Sequence, residues 1–258
     1  MKPKFSIITA TFNSELTLVD TIESVLNQEV ESLEYILIDG NSSDSTVDII
    51  KSYEQKFIDK GYVYKWISES DTGIYNAWNK GLNLVSSPWV AFLGSDDYYT
   101  QGALKKYSEM LSKDGIQNYD FIYSEVDQID DLKKTVREIK GEWSWKVFIR
   151  HMNIAHVGAF HNMCYFEKYG RFEESFKIAG DYELLLRAKE NLNVKKINFV
   201  SAKMRIGGVS NSFISKVFKE TLYAKNKTGG LTLFICQYDY IISLIKYYVK
   251  KSIHEIIR

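Results

Sequence analysis

Three carboxylate-bearing segments of this 258-residue chain each follow an apolar run that reads as a strand. Asp96 and Asp97 come after Pro88-Trp-Val-Ala-Phe-Leu93 and the short Gly94-Ser95 link. Adjacent carboxylates repel unless a cation lies between them or one turns to solvent, and hard oxygen ligands suit Mg²⁺ or Mn²⁺ taken up with substrate phosphates. A solvated turn is the alternative; position at the end of a buried strand favours the cation. Asp39 follows Tyr35-Ile-Leu-Ile38, where an acidic side chain can accept hydrogen bonds from a ribose or base edge, or close an Asx turn in Asp39-Gly40-Asn41. Asp181, in Ile178-Ala-Gly-Asp181-Tyr-Glu183, either caps a helix or is a base held by the turn at the helix start. Other chemistries lack their residues. Thr9-Ala-Thr-Phe-Asn13 carries no glycine fingerprint for a dinucleotide, and a Walker loop is missing. His151, His156 and His161 are spaced by five, which puts no pair on one helical face and matches no zinc spacing, so they read as structural.

Elements able to position these carboxylates are legible from the apolar spacing. Phe5 to Ala10 reads as a strand, then Leu18, Ile22, Val25 and Leu26 as a helix face. Tyr35 to Ile38 is a second strand, Asp39 to Ser45 is turn and cap chemistry, and Val47, Ile50 and Tyr53 mark a second helix. A third strand at Tyr62 to Ile67 precedes Asp71-Thr-Gly-Ile-Tyr and a helix with Ile74, Trp78 and Leu82 on one face; Pro88 to Leu93 is a fourth strand. Such alternation predicts an α/β fold with a mostly parallel, Rossmann-like sheet flanked by helices, which binds ligands beyond the carboxyl ends of its strands. Past Gly102 the alternation loosens into a helix to about Lys113, a strand at Phe121 to Tyr123, a polar stretch to Lys140, a helix over Asp181 to Asn191 and a strand at Val194 to Val200. After Gly207-Gly208 the chain reads as helical, with one apolar stripe from Phe234 through Tyr238, Ile241, Ile242, Ile245, Tyr248, Val249 and Ile253 to Ile256.

Composition bounds the class. With 45% hydrophobic residues and two prolines the chain is a folded globular protein rather than a disordered or fibrous one. Its formal net charge is zero, so no basic field draws it to nucleic acid. The balance is uneven: residues 200–258 carry ten Lys and Arg against three Asp and Glu, leaving the body acidic. Cys164 and Cys236 match neither a metal spacing nor a disulfide framework and read as buried free thiols in a reducing compartment. No apolar run is long enough for a signal peptide or membrane span, which predicts a cytoplasmic protein.

Taken together and in order, Ser6-Ile-Ile-Thr-Ala-Thr-Phe-Asn13, Ile36-Leu-Ile-Asp39-Gly-Asn-Ser-Ser-Asp44-Ser-Thr46, Asp71-Thr-Gly-Ile-Tyr-Asn-Ala-Trp-Asn-Lys80-Gly81, Phe92-Leu-Gly-Ser-Asp96-Asp97 and Ala179-Gly-Asp181-Tyr-Glu-Leu resemble the motifs of family 2 glycosyltransferases. The resemblance runs from about Phe5 to Ser212 and implies the GT-A fold and inverting transfer of a sugar from a nucleotide diphosphate to an acceptor hydroxyl, usually with Mg²⁺ or Mn²⁺. It implies that Thr9, Phe12, Asn13 and Asp39 hold uridine of a UDP-sugar, with Asp71 and Lys80 nearby. Asp96 would ligate the metal between the diphosphate oxygens, Ser95 would help bind the nucleotide sugar, Asp97 would contact the sugar or support the site, and Asp181 would be the general base. Gly207-Gly-Val-Ser210 resembles the family's late loop over the diphosphate. Gly94 stands where many relatives carry a further Asp, which implies one protein carboxylate on the metal, and Val157 stands where relatives of this subgroup often have Gln. A nucleotidyltransferase acting on sugar phosphates is the alternative, but it would want a Gly-rich basic first loop. A degenerate carbohydrate-binding protein is the non-enzymatic one.

The domain reading that follows is a catalytic unit over 1–212, with a nucleotide-binding half (1–100) and an acceptor half (101–212), and an amphipathic helical extension over 213–258. Analogy with the family implies a lipid-linked glycan acceptor of bacterial O-antigen or capsule. The stripe from Phe234 to Ile256, beside Lys246, Lys250, Lys251 and Arg258, would then pack on the body, on a second copy of the chain, or on the cytoplasmic surface of the inner membrane.

Overall fold

Every residue of Glu34–Asp39 is buried, as a strand covered on both faces must be. The computed structural model describes residues 2–207 and 214–256, with 250–256 described by backbone alone. In it β1 (Phe5–Thr11), α1 (Leu18–Leu26), β2 (Glu34–Asp39), α2 (Thr46–Asp59), β3 (Val63–Ser68), α3 (Ile74–Leu82) and β4 (Trp89–Phe92) succeed one another. The four strands pair in parallel in the order β3-β2-β1-β4, the crossover architecture that strand–helix alternation predicts.

The second half extends the same sheet. β8 (Ala159–Asn162) runs antiparallel to β4, β6 (Phe121–Ile129) antiparallel to β8, β9 (Val194–Arg205) parallel to β6, and β5 (Tyr98–Tyr99) antiparallel to β9. β7 (Thr135–Ile139) pairs with the far end of β6. A boundary at residue 100 therefore falls inside one continuous sheet. The helices are α4 (Ala103–Leu111), α5 (Trp145–Phe148), α6 (Met163–Tyr169), α7 (Gly180–Leu186), α8 (Ile214–Lys227) and α9 (Leu233–Ile256).

Alternation along each strand divides the core in two. Phe5, Ile7, Tyr35 and Leu37 pack with Leu18, Ile22, Ile50, Phe57, Leu104 and Tyr107 on one face. Ile8, Ile36 and Ile38 pack with Tyr75, Trp78, Phe166 and Leu184 on the other. Within β2, Glu34 is fully buried. Its carboxylate accepts hydrogen bonds from Lys65 Nζ at 2.6 Å, Ser6 Oγ at 2.5 Å and the Ser86 N–H at 2.8 Å, tying three strands to the turn before β4. Burial alone would raise this carboxyl, but those hydrogen bonds outweigh it and hold it below the usual carboxylate range.

Several sequence expectations change. The polar stretch before Lys140 contains β7, an edge strand exposed on both faces and so without apolar alternation. β6 and β9 run several residues past Tyr123 and Val200, and the helix predicted to reach Asn191 stops at Leu186, with a 3₁₀ turn over Lys189–Asn191. Cys164 is exposed at the start of α6, and only Cys236 is buried. His156 and His161, though five apart, meet with Nε2 atoms 2.8 Å apart, because a 3₁₀ turn leads straight into β8. They sit among Trp78, Phe92 and Phe172, and burial lowers both pKa values, as befits structural histidines.

The last helix, α9, is held through ion pairs, with much of its apolar stripe turned outward. Asp239 of α9 accepts from Lys225 Nζ of α8 at 3.2 Å and from Arg150 Nε at 2.7 Å. Lys225 is buried, as is Cys236 on the same side of α9. Phe234, Tyr238, Ile241, Ile245, Tyr248 and Val249 face outward, Phe234 being 79% exposed. Ile253, Ile256 and the Lys250, Lys251 and Arg258 side chains lie outside the described residues. No helix among those described is long and apolar enough to cross a membrane.

Candidate active site

The loops after β1, β2, β3 and β4 all emerge at the carboxyl edge of the parallel strands and are tied to one another. Asn13 and Asn41 adopt left-handed backbone, with φ of 48° and 67°, a conformation Asn tolerates better than most residues. The Asn13 N–H donates to Ser42 Oγ at 2.8 Å, and Asn13 Oδ1 accepts from the Ser43 N–H at 2.9 Å. Glu15 Oε2 accepts from the Ser45 N–H at 3.0 Å. A Ser14–Ser95 hydroxyl pair, 2.9 Å apart, joins this double loop to the one carrying Asp96 and Asp97.

Asp39 closes an Asx turn, accepting from the Ser42 N–H at 3.0 Å, and also accepts from Ser68 Oγ at 2.6 Å. Gly40 lets Asp71 pack close against the backbone: a Cβ there would stand 2.7 Å from Asp71 Oδ2 and 3.4 Å from the Phe12 ring. Phe12, 61% exposed, thus stands with Asp71 at the cleft outside the carboxyl ends of the parallel strands, where open α/β sheets take their ligands. Lys80 is spoken for by the Ser70 carbonyl at 2.8 Å and Glu69 at 2.8 Å, and so fixes the Asp71 loop from behind. Thr9 is elsewhere. Strand alternation turns it into the α1/α2 side of the core, fully buried, where Tyr35 O–H donates to its hydroxyl at 3.1 Å, so its side chain does not reach the cleft.

At the end of β4, Asp96 Oδ1 and Asp97 Oδ2 each lie 2.9 Å from the point where a Cβ on Gly94 would stand. Burial raises the Asp96 carboxyl. Burial, then the Asp96 charge, pushes Asp97 well above the usual carboxylate range. Both carboxylates thus crowd Gly94, and two adjacent acidic groups in a partly buried site fit a hard divalent cation, with the remaining ligands drawn from phosphate and water. No group of three or more His, Cys, Asp and Glu is gathered among the described residues.

Arg205, at the end of β9, is absent from the sequence reading. Its N–H donates to Asp97 Oδ1 at 3.0 Å, its guanidinium bonds Asp20 at 2.5 Å, and its charge draws the Asp96 and Asp97 carboxyls downward. Nε has no partner among the described residues. A cation closing a strand just before Gly207-Gly208 is the one signal the sequence offers; the β5–β9 pairing that delivers it is tertiary.

Asp181 is not a cap. Ala179 occupies that position, and Asp181 sits in the first turn of α7, with Oδ1 accepting from the Tyr182 N–H at 2.8 Å and Tyr75 O–H at 3.3 Å. Tyr75, three residues past Thr72, ties the Asp71 loop and α3 to the Asp181 turn. The Asp181 charge is felt by His156. A shallow cavity of about 240 Å³ beside this turn is lined by Ser175, Phe176, Lys219, Glu220 and Tyr223. Of the predicted site residues, then, Phe12, Asn13, Asp39, Asp71, Ser95, Asp96 and Asp97 gather at linked loops, Lys80 supports them, Asp181 is connected through Tyr75, and Thr9 stands apart. Gly208, Val209 and Ser210 of the late loop lie outside the described residues.

Comparison with known proteins identifies the family and the fold. The model for the family described as glycosyl transferase family 2 matches residues 6–173. A PGL/p-HBAD biosynthesis glycosyltransferase of Mycobacterium bovis is 26% identical over 231 residues, 88% of this chain and 87% of the relative. A GalNAc(5)-diNAcBac-PP-undecaprenol beta-1,3-glucosyltransferase of Campylobacter jejuni is 35% identical over 102 residues, 40% of this chain and 32% of the relative. Among solved structures, S. aureus TarS in complex with UDP-GlcNAc superposes with a TM-score of 0.68 at 17% identity, covering 92% of this chain and 70% of that one. In a longer TarS structure the coverage is 42% of the neighbour's chain. The mannosyltransferase PcManGT from Pyrobaculum calidifontis, in complex with GDP-Man and Mn²⁺, superposes with a TM-score of 0.65 at 13% identity, over 87% of this chain and 63% of that one. These neighbours give the GT-A fold.

Proposed function

The chain belongs to glycosyl transferase family 2, and on that premise we propose that it is an inverting, metal-assisted enzyme that moves a sugar from a UDP-sugar to a hydroxyl of a lipid-linked glycan in bacterial surface-polysaccharide synthesis. The observation that carries the reading is the pair of adjacent carboxyls Asp96 and Asp97, raised by burial and packed against Gly94, on a loop that the Ser14–Ser95 pair ties to the loops of Phe12 and Asp39. UDP is the nucleotide we favour, since a fold neighbour binds UDP-GlcNAc; another binds GDP-Man, so GDP-mannose belongs in the test. The lipid-linked acceptor draws on the Campylobacter relative's undecaprenol substrate.

In this reading Phe12 and Asp71 flank the base, and Asn13 and Asp39 shape the floor of the nucleoside pocket through their serine partners. Asp96, supported by Asp97, would hold Mg²⁺ or Mn²⁺ against the diphosphate, where the cation supplies Lewis-acid neutralisation of the leaving group. Ser95 and Arg205 border the same space, and Arg205 holds Asp97 in register by its backbone N–H. Asp181 takes the proton of the acceptor hydroxyl while that oxygen attacks the anomeric carbon from the face opposite the diphosphate. The sugar–oxygen bond to the β-phosphate breaks with its electron pair leaving on UDP, and configuration inverts. The groups that touch the substrates lie in the unit 1–212, and α9 of the extension over 213–258 brings it to its acceptor: the outward stripe of α9, with Lys246 beside it, rests on the anionic cytoplasmic face of the inner membrane.

The test is product analysis. The purified chain is incubated with Mn²⁺, an undecaprenyl-diphosphate-linked sugar and a panel of UDP-sugars plus GDP-mannose; transfer from a UDP-sugar with inverted anomeric configuration by NMR is expected. Transfer from GDP-mannose alone, retention of configuration, or full activity in chelator would each overturn the corresponding part. Co-sedimentation with vesicles containing phosphatidylglycerol, lost in Phe234→Ser/Ile241→Ser, tests the membrane contact; a stable dimer that ignores vesicles would assign the stripe to a second copy.

A further inference from the structure

We propose that Glu220 is a positioning residue for Asp181, an inference that rests on the reading of Asp181 as the base. Glu220 lies on α8, outside the segment matched by the family, yet its carboxylate is received by three consecutive backbone N–H groups of the loop entering α7. Oε2 accepts from Ile178 at 2.8 Å, Ala179 at 2.9 Å and Lys177 at 3.1 Å, and Oε1 accepts from Lys177 at 3.0 Å. Successive N–H groups aimed at one point form a concave anion seat, and here the chain fills it with its own side chain from a distant helix.

The loop is gripped from its other side as well. Tyr75 O–H donates to the Ile178 carbonyl at 2.6 Å, and Lys177 Nζ donates to the Thr72 carbonyl at 2.6 Å. Asp181 follows two residues after the last N–H that Glu220 holds. Among the described residues its own side chain accepts only from Tyr182 N–H of the same turn and, at 3.3 Å, from Tyr75 O–H. The path of the chain into the first turn of α7, and with it the placement of the Asp181 carboxylate, is therefore set by Glu220 from one side and Tyr75 from the other. Removing Glu220 would leave three adjacent N–H donors without their acceptor and free the turn to shift. Displacement of a reacting group by about 1 Å can cost on the order of 100-fold in rate.

The experiment uses the full chain with Mn²⁺ and whichever of UDP-glucose, UDP-galactose and UDP-N-acetylglucosamine gives the fastest UDP release, water serving as acceptor. For Glu220→Ala, kcat per folded molecule is expected to fall roughly 10- to 100-fold while the donor KM stays within about 2-fold. Hydrogen exchange should accelerate at the amides of 177–179. Glu220→Gln keeps a carbonyl oxygen for the seat and should restore both rate and protection. If Glu220→Ala does not fold, Glu220→Asp, which withdraws the carboxylate by one methylene, must show the same kcat loss at unchanged KM. Unchanged kcat, or a kcat loss that Gln does not rescue, overturns the positioning role. Asp181→Asn, run alongside, separates the two readings: if it abolishes turnover while the Glu220 variants do not, only the positioning role fails, and if it turns over normally, the base assignment fails and this inference with it.

Discussion

Replacing Asp96 with asparagine should stabilise the metal-free protein while abolishing its activity. The two carboxylate oxygens that converge at Gly94 each lie 2.9 Å from one point. With the charges taken as about 5 Å apart and an effective dielectric constant near 20, their repulsion is about 3 kcal/mol. Arg205 attracts both groups, and water reaches the half-buried Asp96, so about 1–2 kcal/mol should be recovered when one charge is removed. For a chain of this size that corresponds to a rise of roughly 2–8 °C in Tm. The sign depends on pH. Carboxyls raised in the folded state contribute stability below the unfolded carboxylate pKa, near 3.9, and lose it as pH rises through the folded values. The advantage of Asp96→Asn should thus be present at neutral pH and absent near pH 4. Saturating Mn²⁺, at ~100 times its Kd, should stabilise the wild type by about 2.7 kcal/mol and the variant hardly at all. Turnover should drop on the order of 100-fold or more. Thermal melts with and without Mn²⁺ at the two pH values, beside UDP-release rates, decide the matter. A metal-free variant less stable than wild type at neutral pH, or one that keeps its Mn²⁺-stimulated turnover, refutes the reasoning.

Gly40→Ala should raise the donor KM by roughly 10-fold, a loss of about 1.4 kcal/mol, because the new methyl group meets Asp71 Oδ2 at 2.7 Å and must displace it from the cleft; UDP titration calorimetry reads this, and unchanged affinity would remove Asp71 from the pocket. Glu34→Gln should cost about 1.5–3 kcal/mol at neutral pH, the range for hydrogen bonds to a charged group. Since the Glu34 carboxyl is held below its ordinary value, that contribution is present above about pH 4.3 and is lost as pH falls through the folded pKa, so the Tm difference from wild type should shrink in acid. Asp239→Ala should destabilise the fold by about 3–5 kcal/mol by leaving the buried Lys225 ammonium unpaired; urea unfolding measures it, and limited proteolysis should find α9 released first.

The sequence alone determined the α/β order of the first half, because β1, β2 and β4, buried on both faces, read as short continuous apolar runs, and each helix between them carries a single apolar face at the 3.6 spacing. It also located the loops that bear Asp39, Asp71, Asp96 and Asp181, since turn and cap residues at strand ends are local signals. It could not find β7, whose solvated faces erase alternation, nor tell that Thr9 faces the core while Phe12 and Asn13, only a few residues on, face the cleft. That sorting depends on where β1 ends and which helices cover it. Whether Asp181 caps its helix or merely starts it was likewise undecidable from residue types, since both uses want the same side chain; the tertiary structure gives the cap to Ala179. Arg205 and Glu220 reach the site through contacts 108 and 41 to 43 residues apart in sequence. No local pattern encodes such contacts: they exist only because β9 lies beside β5 and α8 beside the loop entering α7, arrangements chosen by the burial of the whole chain rather than by any segment of it.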